Sequence, residues 1–228
     1  MTAVYQERRS SRLPAVVWTG AGRGSVRVLP DGCMDVLWHD GTLTIAGPDT
    51  VAHLTDDSPD SRYTGLRFAP GLGPRFFGVP AEPLRDQRVP LDAVWPAAHV
   101  KRLTAALVDS PNPGLALEEA AVARLADAGS ADPVLGEVAR VAARGEPVAA
   151  TALRLGLSER QLHRRCLVGF GYGAKQLHRI VRMNRALDLA RAGVPLADTA
   201  TQVGYADQAH LSRDVRALAG VSVRGLIR

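Results

Sequence analysis

Hydrophobic positions along the chain change their period near residue 95. Before it, apolar residues form short runs or alternate with polar ones. Ala15–Trp18 (AVVW), Ser25–Leu29 (SVRVL), Met34–Trp38 (MDVLW), Thr42–Ala46 (TLTIA) and Tyr63–Phe68 (YTGLRF) all have strand length and composition. GAGRG, PDG, HDG, GPDT and DDSPDS lie between them and favour turns. Short strands at this spacing predict a compact antiparallel sheet, sandwich or small barrel. GLGPRFFGVPAEPL then admits a short helical turn, with Phe76 and Phe77 as core anchors.

Beyond Trp95 the period becomes helical. Ala98–Asp109 aligns Val100, Leu103, Leu107 and Val108, and Leu115–Ala128 aligns Leu117, Ala121, Leu125 and Ala128. Asp132 is placed to cap a third helix over Pro133–Arg144. Pro111-Asn112-Pro113-Gly114 and Gly129–Asp132 punctuate these segments, and Gly145-Glu146-Pro147 marks a boundary. The expected class is α+β, with a β-rich sensor or ligand-binding unit over 1–95. A helical linker or dimerisation segment over 96–144 joins it to an all-α unit over 145–228.

The last unit repeats one pattern twice. Val148–Leu155 and Glu159–Val168 flank Gly156, while Leu196–Val203 and Asp207–Ala219 flank Gly204. A glycine suits the sharp junction of two helices because it tolerates positive φ. Ser158 and Asp207 follow as N-caps. Leu157, Leu162 and Cys166 mark the buried side of the first copy, and Leu211, Val215 and Leu218 that of the second. Lys175–Ala192 forms a connecting helix of ~27 Å, ended by Gly193 with Pro195 beyond, and Ser222–Ile227 adds a last turn.

Charge sharpens this picture. Residues 145–228 carry 13 Lys and Arg against 6 Asp and Glu, while residues 1–144 carry 15 against 17. A basic module joined to a slightly acidic one is the footprint of nucleic-acid binding by one part only. An arginine-rich surface alone would give the same balance, so the outward faces decide. Arg160, His163 and Arg164 occupy the outer side of the first copy; Gln208, His210, Ser212 and Arg213 occupy that of the second. Guanidinium groups suit guanine and amides suit adenine. Ser158 and Lys175, near helix starts, suit phosphates.

These residues resemble a known family. GLSERQLHRRC, FGYGAKQL and RMNRALDLA are similar to the first half of the AraC/XylS-type DNA-binding domain. LADTATQVGYADQAHLSRDVRALAGVS resembles its second half. Cys166 and Val215 replace a usual phenylalanine, and Val223 a common proline. The resemblance implies a sequence-specific transcriptional regulator that reads double-stranded promoter DNA through two helix-turn-helix units. It further implies RNA polymerase as partner, a homodimer, and a small-molecule effector acting through the first half. VLPDGCMDVLW and GLRFAPGLGPRFFGVPAEPL resemble a sensor-type domain often joined to this module, one without an established ligand.

In that half, Cys33, Asp35, Trp38 and Arg67 are the candidate ligand-binding residues, beside a PDG sequence that first reads as a tight turn. His39 and His53 could meet as metal ligands or remain solvated. The histidine–glutamate pattern of a typical metal-binding cupin is not visible, and no cofactor or catalytic residue is expected. The alternative is a DNA-repair alkyl-transfer enzyme on the same module, which needs a cysteine cluster or an activated cysteine. Two cysteines fit neither that nor a disulfide scaffold or four-cysteine zinc site. The chain shows no apolar run of the ~18 residues that span a bilayer, and MTAVYQERRSSRL lacks a signal peptide's apolar core. A reducing cytoplasm is therefore expected.

Overall fold

Alternating burial along Met34–His39 and Ala15–Ala21 shows why the first half becomes a sheet: one face of each strand is buried and the other is not. The computed structural model describes residues 5–22, 24–58, 60–147 and 149–227. In chain order it contains β1 (Gln6–Arg9), β2 (Ala15–Ala21), β3 (Gly24–Val28), β4 (Met34–His39), β5 (Thr42–Ala46), β6 (His53–Asp57), β7 (Arg62–Phe68) and β8 (Arg88–Pro90). Helices are α1 (Gly73–Phe77), α2 (Ala97–Asp109), α3 (Pro113–Asp127), α4 (Pro133–Arg144), α5 (Ala149–Arg154), α6 (Glu159–Phe170), α7 (Ala174–Arg191), α8 (Leu196–Val203), α9 (Gln208–Ala219) and α10 (Val223–Leu226).

Six strands form one antiparallel sheet in the order β1-β2-β7-β4-β5-β8, while β3 and β6 pair as a separate ribbon. Asp40 and Gly41, both at positive φ, make the two-residue β4–β5 turn read from HDG. Helices α2 and α3 cover the buried face of the sheet. Phe68, Phe76 and Phe77 are fully buried, with ring centroids 4.7–5.8 Å apart. Trp95 closes this cluster and donates its indole N–H to Phe77 O at 2.9 Å.

Several details differ from the sequence pattern. Pro113 and Gly114 are not a break but the first turn of α3, which Asn112 caps by accepting from Leu115 N. Val108 and Ala128 are exposed rather than on the buried stripes. Strands β1, β6 and β8 are additional. Val148, with which the first helix of the first copy is expected to start, lies outside the described residues.

The described residues form two cores, and residues 96–144 divide between them. Leu103, Leu107, Leu117 and Ala121 join the sheet, whereas Val134, Val138 and Ala142 of α4 join the second core. That core is organised on α7, which buries Leu177, Ile180, Met183, Ala186 and Leu187. Asp132 caps α4 by accepting from Val134 N at 2.9 Å, and Gly145 ends it in the left-handed conformation.

The PDG turn joins the two cores. Asn184 donates to Pro30 O at 2.8 Å, and Leu29 packs against the second core. Gly32 has φ +87°, and a Cβ there would lie 2.7 Å from Leu177 Cδ1. Gly32→Ala should therefore lower stability by about 1–2 kcal/mol from the left-handed backbone alone. A denaturant midpoint equal to wild type would contradict this.

Candidate nucleic-acid interface

Each copy of the repeated pattern is a pair of helices joined at a left-handed glycine. Gly156 has φ +64° and Gly204 φ +83°. The second helix of each pair starts from a side-chain cap. Ser158 and Gln161 form a capping box, with Ser158 N donating to Gln161 Oε1 at 2.8 Å and Gln161 N donating to Ser158 Oγ at 3.3 Å. Asp207 accepts from His210 N at 2.6 Å.

The apolar sides are buried at Leu162 and Cys166 in α6, and at Leu211, Val215 and Leu218 in α9. Arg160, His163 and Arg164 stand exposed on α6, and Gln208 and Arg213 on α9. Ser158 and Lys175 are exposed as well. Two candidates are less free. Ser212 is half-buried and donates its hydroxyl to Gln208 O at 2.8 Å. His210 is half-buried, edge-on to Tyr205 with centroids 5.1 Å apart.

Four residues not singled out in the sequence hold α9 in place. Asp214 is buried and accepts from Arg179 and Arg182 of α7 and from the Tyr205 hydroxyl at 2.9 Å. The Arg182 guanidinium also lies 3.9 Å from the centroid of the Tyr205 ring. Burial, then the Asp214 charge, pushes the Tyr205 hydroxyl upward and keeps it a donor. The readable signal was Arg179 and Arg182, three apart on one helix side, and a lone acid within the apolar stripe of α9. Asp214→Ala should cost about 2–3 kcal/mol, below the range for fully buried pairs because Arg179 is partly exposed. Thermal unfolding measures this; an unchanged midpoint would refute the network's role.

In the first half, the ligand candidates do not all converge. Cys33, Asp35 and Arg67 meet, but Trp38 does not. Successive residues of β4 face opposite ways, so Trp38 packs against the first core while Asp35 faces away from it. Trp18 takes the expected place, donating its indole N–H to Asp35 Oδ2 at 2.8 Å. Its ring lies over Gly65, where a Cβ would come within 2.2 Å. Arg67 Nε sits 3.3 Å from Asp31 and 3.4 Å from Asp35.

Burial raises the Asp35 carboxyl to about 6, against the pull of Arg67 and with the push of Asp31. Burial also pushes the Cys33 thiol well above its usual range, followed by the charges of Asp31 and Asp35. His39 stacks on Tyr63 at 4.3 Å and lies 3.3 Å from Asp40. An Asp35 pKa above its unfolded value means that the folded state holds the extra proton between about pH 4 and 6. Stability relative to Asp35→Asn should therefore rise as pH falls through that window and level off on either side. A difference in melting temperature that does not change with pH would contradict this.

A cleft of about 1600 Å³ separates the helical layer of the first half from α4 and α6. Leu72, Leu103 and Leu135 contribute to its apolar wall, and Arg102, Arg164 and Arg165 to its cationic edge. No helix among the described residues is long and apolar enough to cross a membrane.

Comparison with known families decides what the paired helices are. A helix-turn-helix domain matches residues 151–228. Residues 151–228 are an AraC-type helix-turn-helix domain. This AraC-type domain implies DNA as its partner. Residues 15–90 match a separate family described as a domain of unknown function, DUF6597. The structure is similar to an apo variant of ToxT from Vibrio cholerae strain SCE256, with a TM-score of 0.50 and 11% identity over 96% of this chain and 98% of that one. ToxT from Vibrio cholerae O395 gives 0.48 and 12% over 95% and 98%. The first likeness shows a shared fold. A comparison with curated proteins finds no match.

Proposed function

We propose that the protein is a sequence-specific transcriptional regulator whose AraC-type domain reads two successive major-groove faces. One observation carries this reading: α6 and α9, alike in length and burial and both capped by a side chain, turn long polar side chains outward from their first two turns. In this reading Arg160, His163, Arg164, Gln208 and Arg213 approach base edges, with His210 and Ser212 alongside them. Ser158 and Lys175 contact phosphates. The half-burial of His210 and Ser212 gives them a smaller share of base contact and a larger one in fixing the helix start.

We also propose that a small effector acts through the first half. The cleft supports this reading, since it is wide enough for an organic molecule and touches both the sheet-covering helices and α6. A catalytic cysteine has no support. Burial raises Cys166 to about 11 and pushes Cys33 well above its usual range, whereas a nucleophilic thiol needs the opposite.

Binding to promoter fragments flanking the protein's own gene, measured over a salt series, tests the reading. Arg164→Ala and Arg213→Ala should each cost about 1–3 kcal/mol on the specific site and little on random DNA. Lys175→Ala should weaken binding to all sequences alike and reduce the salt slope by about one. Equal affinity of the wild type for specific and random DNA would sink the reading.

A further inference from the structure

The last turn of a helix leaves four carbonyls without intrahelical partners. In both α6 and α9, residues of the first half supply donors to this turn. At the end of α6, Ala81 N donates to Val168 O at 2.9 Å and the Arg85 guanidinium to Gly171 O at 3.1 Å. At the end of α9, Ala52 N donates to Leu218 O at 2.7 Å and the Arg27 guanidinium to Ala219 O at 2.8 Å. Each end thus receives one backbone amide and one arginine from outside the AraC-type domain, and each arginine adds a cation at the negative end of a helix dipole.

The two sets of donors belong to different parts of the first half. Ala81 and Leu84, flanking the first site, are buried in the first core. Arg27 lies on β3, which among the described residues pairs only with β6 in the separate ribbon, and Ala52 immediately precedes β6. The α6 end is thereby tied to the sheet-and-helix core, and the α9 end to the ribbon.

We infer that the first half is a two-point clamp in which Arg85 with Ala81, and Arg27 with Ala52, set the relative orientation of α6 and α9 and hence the half-site spacing that the protein accepts. This rests on the reading that α6 and α9 face DNA. Both helices are gripped at their C-terminal ends and present their N-terminal turns, so a small tilt at the grip is magnified at the reading end. Each helix spans roughly 18 Å, so a tilt of about ten degrees moves its first turn by ~3 Å, enough to take a side chain out of hydrogen-bond reach. Arg27 and Arg85 are positioning residues: they act through the helices and need not touch DNA.

The full-length protein provides the test. A preferred two-half-site DNA is selected with the wild type, and affinities are measured for spacers lengthened or shortened by one and two base pairs. Wild type should lose about tenfold or more for one base pair, as for a mismatched site. The double variant Arg27→Ala, Arg85→Ala should bind the whole spacer series within about threefold. Arg27→Lys with Arg85→Lys, which keeps a donor at each carbonyl, should restore the sharp optimum. Amide exchange should quicken at 168–171 and 217–220 in the alanine variant and stay slow along α7, separating a released clamp from general unfolding. A spacer profile in the alanine variant as sharp as that of the wild type overturns the clamp. A wild type that prefers no sequence overturns the DNA reading itself, and the clamp falls with it.

Discussion

A helix of twelve residues is not stable by itself, and its last carbonyls need donors wherever water is displaced. The whole arrangement follows from how α6 and α9 meet that constraint. Their N-terminal amides are satisfied locally, by Ser158 with Gln161 and by Asp207. Their C-terminal carbonyls are satisfied from the other half of the chain, after Gly171 and Gly220 have turned each helix off in the left-handed conformation. The polar positions near their starts, Arg160 and Gln208 among them, therefore stay outside both cores. Apolar stripes anchored on α7 supply the remaining stability, through Leu162 and Cys166 on one side and Leu211, Val215 and Leu218 on the other.

How much of this could be read in advance depends on the range of the interaction. Local signals were legible: Gly156 and Gly204 at positive φ, caps at Asp132, Ser158 and Asp207, and the charged outer faces of α6 and α9. Long-range choices were not. Trp18 and Trp38 are equivalent in a one-dimensional pattern, and only the register placing Trp18 opposite Gly65, next to Asp35 opposite Arg67, shows which one meets the acid. Residues 96–144 read as one linker because helical period says nothing about which core a helix covers. Pro113 looked like a break because proline is equally suited to a turn and to a helix's first position. Strands β1 and β8 are short edges of the sheet, with too few alternating positions to stand out.

The charged cluster of the first half lies very close to the domain contact. Asp31 and Asp35 flank Arg67, and burial works against that guanidinium while the two carboxylates outweigh it and hold it charged. Cys33 N donates to Asp31 Oδ1 at 2.9 Å, which fixes the shape of the PDG turn. Its neighbours on the other side, Pro30 and Gly32, touch Asn184 and Leu177 of α7. Tyr172, just before α7, is buried with its hydroxyl pushed upward first by burial and then by Asp31. A change in charge or occupancy around Asp35 thus has one turn of backbone, not a long chain of contacts, between it and the helix that carries the second core.

Residues 81–85 at the end of α6, 29–32 at the middle of α7, and Arg27 with Ala52 at the end of α9 are among the parts of the first half that reach the second. These contacts fall on α6, α7 and α9. The middle contact carries the close approach at Gly32, which has φ +87° and where a Cβ would lie 2.7 Å from Leu177 Cδ1. The outer contacts are hydrogen bonds to the ends of α6 and α9. The fold thus places contacts from the first half both beneath the connecting helix and behind the two helices whose faces point outward.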